Sequence, residues 1–276
     1  MIKGARFRDF RSGSLFLIVV FSIILSFNIS PIAKLTVTPL SLRIEVTPGE
    51  SSISSINLKN TDSESTRLGI RLVDWWRSPG GQLQLLKPGT RERSCSGWIS
   101  YETSSLTLGP GSKEDLTLKM KVPEGVSGDH WSMLLVTERP RQGENEQKKT
   151  DGETRNYAIK ILHKDPRNIE KRAAITKIEL VQSNPTALSV TYRNKGTTHL
   201  YTSGRVEIKN VRGNTVEKFE IKEFPTLPGE KHNIVVKSSE KEGGLSPGQY
   251  FAVVVMDFGG DHLIQGGLPF EISSGG

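Results

Sequence analysis

Apolar residues fall at alternate positions from Leu35 to Val46 (LTVTPLSLRIEV), and the same period returns in block after block to the end of the chain. A period of two puts alternate side chains on one face of a strand, whereas a helix needs apolar residues three and four apart. Outside the N-terminus no window keeps the helical spacing over three turns. The expected fold is all-β, and Pro-Gly and other Gly-containing turn signals such as Asn194-Lys-Gly196 and Arg212-Gly-Asn214 divide it into two tandem β-sandwiches.

Ahead of these blocks, Lys3, Arg6, Arg8 and Arg11 precede the charge-free apolar run from Leu15 to Phe27. Thirteen residues are short for a bilayer span and suit the apolar stretch of a secretory leader. Residues 1–33 are therefore expected to form a signal peptide or an uncleaved anchor helix, the second of which would fasten the protein to a membrane. Either reading sends the chain to the periplasm or the cell surface. Residues before Lys34 carry four basic and one acidic side chain, so the formal charge of +7 falls to +4 beyond them. With no basic stripe interleaved with aromatics, nucleic acid is not an expected partner.

The first block, residues 34–163, reads as strands at 52–60, 68–76, 98–101, 105–108, 113–122, 130–138 and 155–162 after the opening strand. Leu68, Ile70 and Leu72 share one face of the third strand, and Trp75 or Trp76 is expected to fill the core there. Arg139–Glu153 holds eight charges and no strong apolar residue, so it reads as a solvated loop within the first domain. A polar linker at 164–172, broken by Pro166, leads to a second block at 173–276 with strands at 175–180, 187–192, 204–208, 216–221, 231–236, 249–256 and 263–272.

Catalytic signatures are lacking. The five histidines, His130, His163, His199, His232 and His262, have no metal-ligand spacing, and no nucleophile elbow or phosphate loop occurs. Asp257 to Gly259 spells a kinase tripeptide but sits between two strands, where a hairpin turn accounts for it. Asp257 and Asp261 are too few oxygens for calcium. Cys95, the sole cysteine, sits in no local catalytic motif (Arg93-Ser-Cys95-Ser-Gly-Trp98) and reads as an inert free thiol. Neither an enzyme nor a cofactor is expected, nor a metal site.

An extended opening strand, a polar loop before the closing strand of the first domain, and a short linker into a second sandwich together resemble the periplasmic chaperones of pilus assembly. The resemblance implies two immunoglobulin-like domains and an exported protein subunit as the partner. It implies that Arg43, on the opening strand, and Lys160, on the closing strand, hold the partner's C-terminal carboxylate. It also makes the closing strand, with Tyr157, Ile159 and Ile161, the partner-facing one. In that family the closing strand extends upstream with apolar residues lent to the subunit, but the corresponding positions here are Arg155, Glu153 and Asp151, which cannot fill an apolar groove. Two other readings stay open: a surface adhesive or scaffolding protein that presents loops to a cell-wall or extracellular ligand, and an enzyme of unrecognised type.

Overall fold

The computed structural model describes residues 35–139, 155–183, 185–238 and 245–273. The expected leader or anchor and all of the charged loop except Arg139 lie outside them. Among the described residues there are strands, turns and one 3-10 turn at Ser96–Trp98, with no α-helix.

The first sandwich has one sheet in the order β1 (Leu35–Thr38), β3 (Ser51–Asn60), β8 (Lys113–Lys121), β6 (Ile99–Tyr101). Its second sheet runs β2 (Ser41–Glu45), β10 (Asn156–Lys164), β9 (His130–Arg139), β4 (Thr66–Arg77), β5 (Leu83–Leu86), with β7 (Ser105–Leu108) also paired to β4. Between the sheets Leu35, Ile56, Leu58, Leu68, Leu134, Ile159 and Ile161 form a core that excludes water almost completely. The second sandwich faces β11 (Ala173–Gln182), β12 (Ala187–Asn194) and β15 (Lys231–Lys237) against β14 (Thr215–Thr226), β13 (Leu200–Asn210), β16 (Gly248–Asp257) and β17 (Ile264–Ile272). Leu188, Val190, Tyr192, Val206, Val254 and Phe258 fill it.

Three sequence expectations need correction. The opening strand is two strands, because Pro39 has no N–H to give a ladder. The Thr38–Pro39 bond is cis; β1 pairs with β3 in one sheet, and β2 runs parallel to β10 in the other. The strand β5 (LQLL) escaped the sequence reading since it is only four residues long, with Leu83 and Leu85 exposed, yet it closes a hairpin with β4 through Trp75↔Leu85. Finally, Trp75 is buried, but outside the main core. Leu68 and Ile70 point into the sandwich, while the odd positions Val73 and Trp75 point to the opposite face, where they meet Trp131, Met133, Leu162 and Leu227.

That outer cluster exists because the second sandwich covers a sheet face that would otherwise meet solvent. Both faces of β9 are consequently buried, and its sequence is a nearly unbroken apolar run in place of an alternation. The two tryptophans also lock each other: the Trp75 indole N–H donates to the Ser132 carbonyl at 3.0 Å, and that of Trp131 to the Trp75 carbonyl at 2.9 Å.

Between β10 and β11 the connecting segment is tied down. Asp165 accepts from the Gly128 N–H at 3.1 Å and from the Arg167 N–H at 3.0 Å. Asp129, 3% exposed, reaches the second sandwich, where one carboxylate oxygen accepts from the Thr198 hydroxyl and the His199 N–H, both at 2.8 Å. Its own N–H donates to the Thr197 carbonyl at 2.8 Å. Gly196 lets this corner close, since a Cβ there would lie 2.1 Å from the Glu170 carbonyl oxygen.

Candidate functional site

The parallel pairing of β2 with β10 sets Arg43 opposite Leu162 and Ser41 opposite Lys160. With a period of two on each strand, Arg43 and Lys160 therefore share the outer face of the sheet, the face turned toward the second sandwich. Arg77 ends β4 in the same parity as Val73 and Trp75 and joins them there. All three cations line a cleft of about 680 Å³ whose other wall includes His199, Tyr201, Pro225 and Leu227.

Aromatic rings hold the cations in place. The Arg43 guanidinium lies 5.2 Å from the centroid of the Tyr201 ring, and Tyr201 in turn stacks on His199. The Lys160 ammonium and the Arg77 guanidinium both approach Trp75, at 5.8 and 5.6 Å from its centroid. Such contacts keep a charge near an apolar wall without cancelling it, leaving each N–H donor for a ligand.

The cleft is electropositive in its effects. Burial, and next the nearby Arg77 charge, push the Lys160 pKa down. Burial pushes His199 down to about 4; Asp129 acts against this, and Arg43, Arg77 and Lys160 reinforce it. His199 is thus neutral at pH 7. Because its folded value lies below the unfolded value of 6.5, the unfolded chain takes up the proton first as pH falls, so stability declines between about 6.5 and about 4. Burial gives His130 and His232 the same direction. Denaturant unfolding at pH 7 and pH 4.5 should show this loss, and His199→Gln should remove part of it.

Arg43 and Lys160, chosen from sequence, are brought to one cleft. The partner-facing side chains are not. Ile159 and Ile161 are fully buried in the first sandwich, and Tyr157 packs against the same core with its hydroxyl on Glu138 at 2.9 Å, its pKa raised to about 12 first by burial. Odd positions of β10 face inward, so these three side chains pack in the first sandwich and do not line the cleft. Ala158, Lys160 and Leu162 are the ones that line the cleft. What β10 does offer is a backbone edge: β9 pairs along Asn156–His163, while β2 pairs only from Lys160 onward.

Sequence reasoning also passed over Arg77, Trp75 as a cation platform, and Tyr201. No local motif marks them, because their meeting depends on how the second sandwich covers the first. Cys95 is buried and its thiol is pushed up to about 12 by burial, with a 3.3 Å contact to the Ser132 hydroxyl, as suits an inert group. The kinase-like tripeptide is a turn: Phe258 is buried in the second core, and the Gly259 N–H donates to the Asp257 carboxylate at 2.8 Å. Register sets His130 beside His163 around Trp98, but among the described residues no group of three or more His, Cys, Asp or Glu side chains is placed to hold a metal ion.

Fold and site together define an all-β protein of two sandwiches with a cationic cleft between them. No protein-family model matches the chain, and no curated protein matches it. Among solved structures it is similar to the class 5 fimbriae chaperone CfaA at 10% identity, with 87% of this chain and 99% of that one covered and a TM-score of 0.47. It is also similar to a chain of the CsuC–CsuE chaperone–tip adhesion subunit pre-assembly complex of archaic chaperone-usher Csu pili from Acinetobacter baumannii, at 13% identity, 84% and 98% coverage and a TM-score of 0.48. A chain of a chaperone–tip adhesin complex of CFA/I fimbriae biogenesis gives 10% identity, 87% and 98% coverage and 0.48. Likenesses of this degree decide neither family nor partner.

Proposed function

We propose that the protein is an exported, chaperone-like binder of secreted or pilus subunits in the cell envelope, with residues 34–163 and 173–276 as its two domains and 164–172 as their connection. The observation that carries this reading is the meeting of Arg43 and Lys160, with Arg77, in one partly dried cleft. Charge-assisted hydrogen bonds from such donors suit a single carboxylate, and they strengthen as a ligand displaces water. A peptide ending in that cleft could continue by strand addition along the backbone edge of Asn156–Ile159, which β2 leaves unpaired among the described residues, and main-chain bonds there supply affinity without needing apolar side chains. The leader-like N-terminus supports export.

A peptide from a subunit's C-terminus should therefore bind with its carboxylate free and lose binding when amidated. Its arrival should also move the His199 ring titration upward, since a carboxylate offsets the three cations that help hold it down. Equal affinity of the acid and the amide would remove the proposal.

A further inference from the structure

A second cleft, of about 790 Å³, opens between the sandwiches and shares with the first only Arg77 and Leu227. Arg77, Arg91, Arg172, Arg193, Lys195 and Lys231 line it, against two carboxylates, Glu92 and Glu230. Among the described residues Arg172 alone of these six makes an ion pair, with Glu170 at 3.1 Å. Self-repulsion in such a cluster is unfavourable unless an anion is taken up. We propose that this cleft binds a compact multivalent oxyanion of the phosphate-ester class at a site distinct from Arg43 and Lys160, with Arg77 the one cation the two clefts share.

The walls are built and held. Buried Asp74 accepts from the Arg91 N–H at 2.9 Å and from the Ser94 hydroxyl at 2.5 Å, fixing the loop that carries Arg91. On that loop Arg93 is already committed, its guanidinium donating to the Asp129 carbonyl at 3.1 Å. The Arg91 guanidinium lies 5.2 Å from the Trp76 centroid, a contact that orients it and leaves its donors available. Across the cleft the Asn233 N–H donates to the Pro79 carbonyl at 3.1 Å, bridging the sandwiches at one rim, while Asp129 and Thr197 bridge them near the other. A cavity of this size with braced walls is in the range of small-ligand sites.

Of the two acidic wall residues, Glu92 is exposed and Glu230 opposes an anion only weakly. Glu230 turns one oxygen to the Leu227 N–H at 2.7 Å, its other oxygen is buried without a partner, and burial raises its pKa. Backbone donors around the cleft are spent within the fold: the N–H groups of Lys195, Gly196 and Gly229 bond to the Arg172 carbonyl, the Asn194 side chain and the Asn194 carbonyl. A ligand must then be read by side chains. Guanidinium forks match phosphate oxygens in pairs, and their grouping around one cavity fits clustered charge better than an extended acidic peptide, whose same-side charges stand roughly 7 Å apart.

Calorimetric titration of the full-length protein with inorganic pyrophosphate, at ionic strength held constant with sodium chloride, tests the assignment. Saturable one-to-one binding is expected, weakened about tenfold or more by Arg193→Glu and separately by Arg91→Glu, and changed less than about twofold by Arg43→Glu. Both cleft arginines are exposed, so either variant should fold, and Lys195→Glu provides a third probe. Absence of saturable heat with the unsubstituted protein would overturn the proposal, as would undiminished binding by the variants. Tighter binding of a glutamate-rich peptide that pyrophosphate fails to displace would overturn it too.

Discussion

Arg43→Glu is expected to weaken capture of a carboxylate-terminated peptide by at least about 30-fold, the lower end of what truncating one partner of a desolvated charge pair costs. The substitution places a carboxylate where the ligand's own should sit, beside Tyr201 and on the face that Lys160 shares. Lys160→Glu should act in the same direction. The double variant should cost less than the two single losses combined, because both cations meet one ligand group. Arg43 is exposed on an outer strand, so stability should change little, and a lost binding signal with an unchanged unfolding midpoint would isolate the site effect. Unaltered affinity in both single variants would leave the cleft without its assigned role.

Asp129→Ala is the substitution expected to cost most in stability, about 3–5 kcal/mol. Removing the carboxylate strands the Thr198 hydroxyl and the His199 N–H in a corner closed by Gly196, and takes away the acceptor that the Asp165 N–H approaches at 3.4 Å. Water has little room to replace it. Asp129→Asn retains an oxygen for the Thr198 and His199 donors and should lose roughly half as much. Urea unfolding gives the free-energy difference, and small-angle scattering of the variant should show a wider spread of angles between the sandwiches. A loss below about 1 kcal/mol would mean that the contact is incidental.

The strands were legible because each sandwich has two-faced sheets, and a two-faced sheet writes its burial into alternation. On β3 and β8 the pattern is simple: Ile56 and Leu58 turn in beside Leu116, Leu118 and Met120, and the positions between turn out. Legibility failed where a second surface intervenes. On β10 the alternation correctly separates Ile159 and Ile161 from Lys160, but only knowledge of which face the second sandwich covers says that Lys160 is at the cleft and the isoleucines are not. On β4 the sequence leaves Trp75 and Trp76 as alternatives for the core, and Trp75 is instead buried in the outer cluster, for the same reason. Cations that converge from distant strands leave no spacing to detect, and Arg77 and Arg193 belong to that class.

The polar turns carried more information than their composition showed. Asn60 and Asn194 each close a turn at the end of a strand with the side-chain oxygen accepting from the N–H two residues on and the amide donating to a carbonyl of the opposite sheet, Leu108 and Thr226 respectively. Both are fully buried, so each is a structural staple and not a surface turn residue. Their equivalence gives physical substance to a plan shared by two halves with little sequence in common.

Cys95, the lone sulfhydryl, lies sealed beneath the Arg91–Ser94 loop. With one cysteine no intrachain crosslink has to form for the native state to be reached, and once folded the chain offers no exposed thiol for mispairing with neighbours. Maturation of this chain should therefore proceed at the same rate whether oxidants and disulfide-exchange enzymes are plentiful or scarce, a freedom that two-sandwich proteins stapled through cystine do not have.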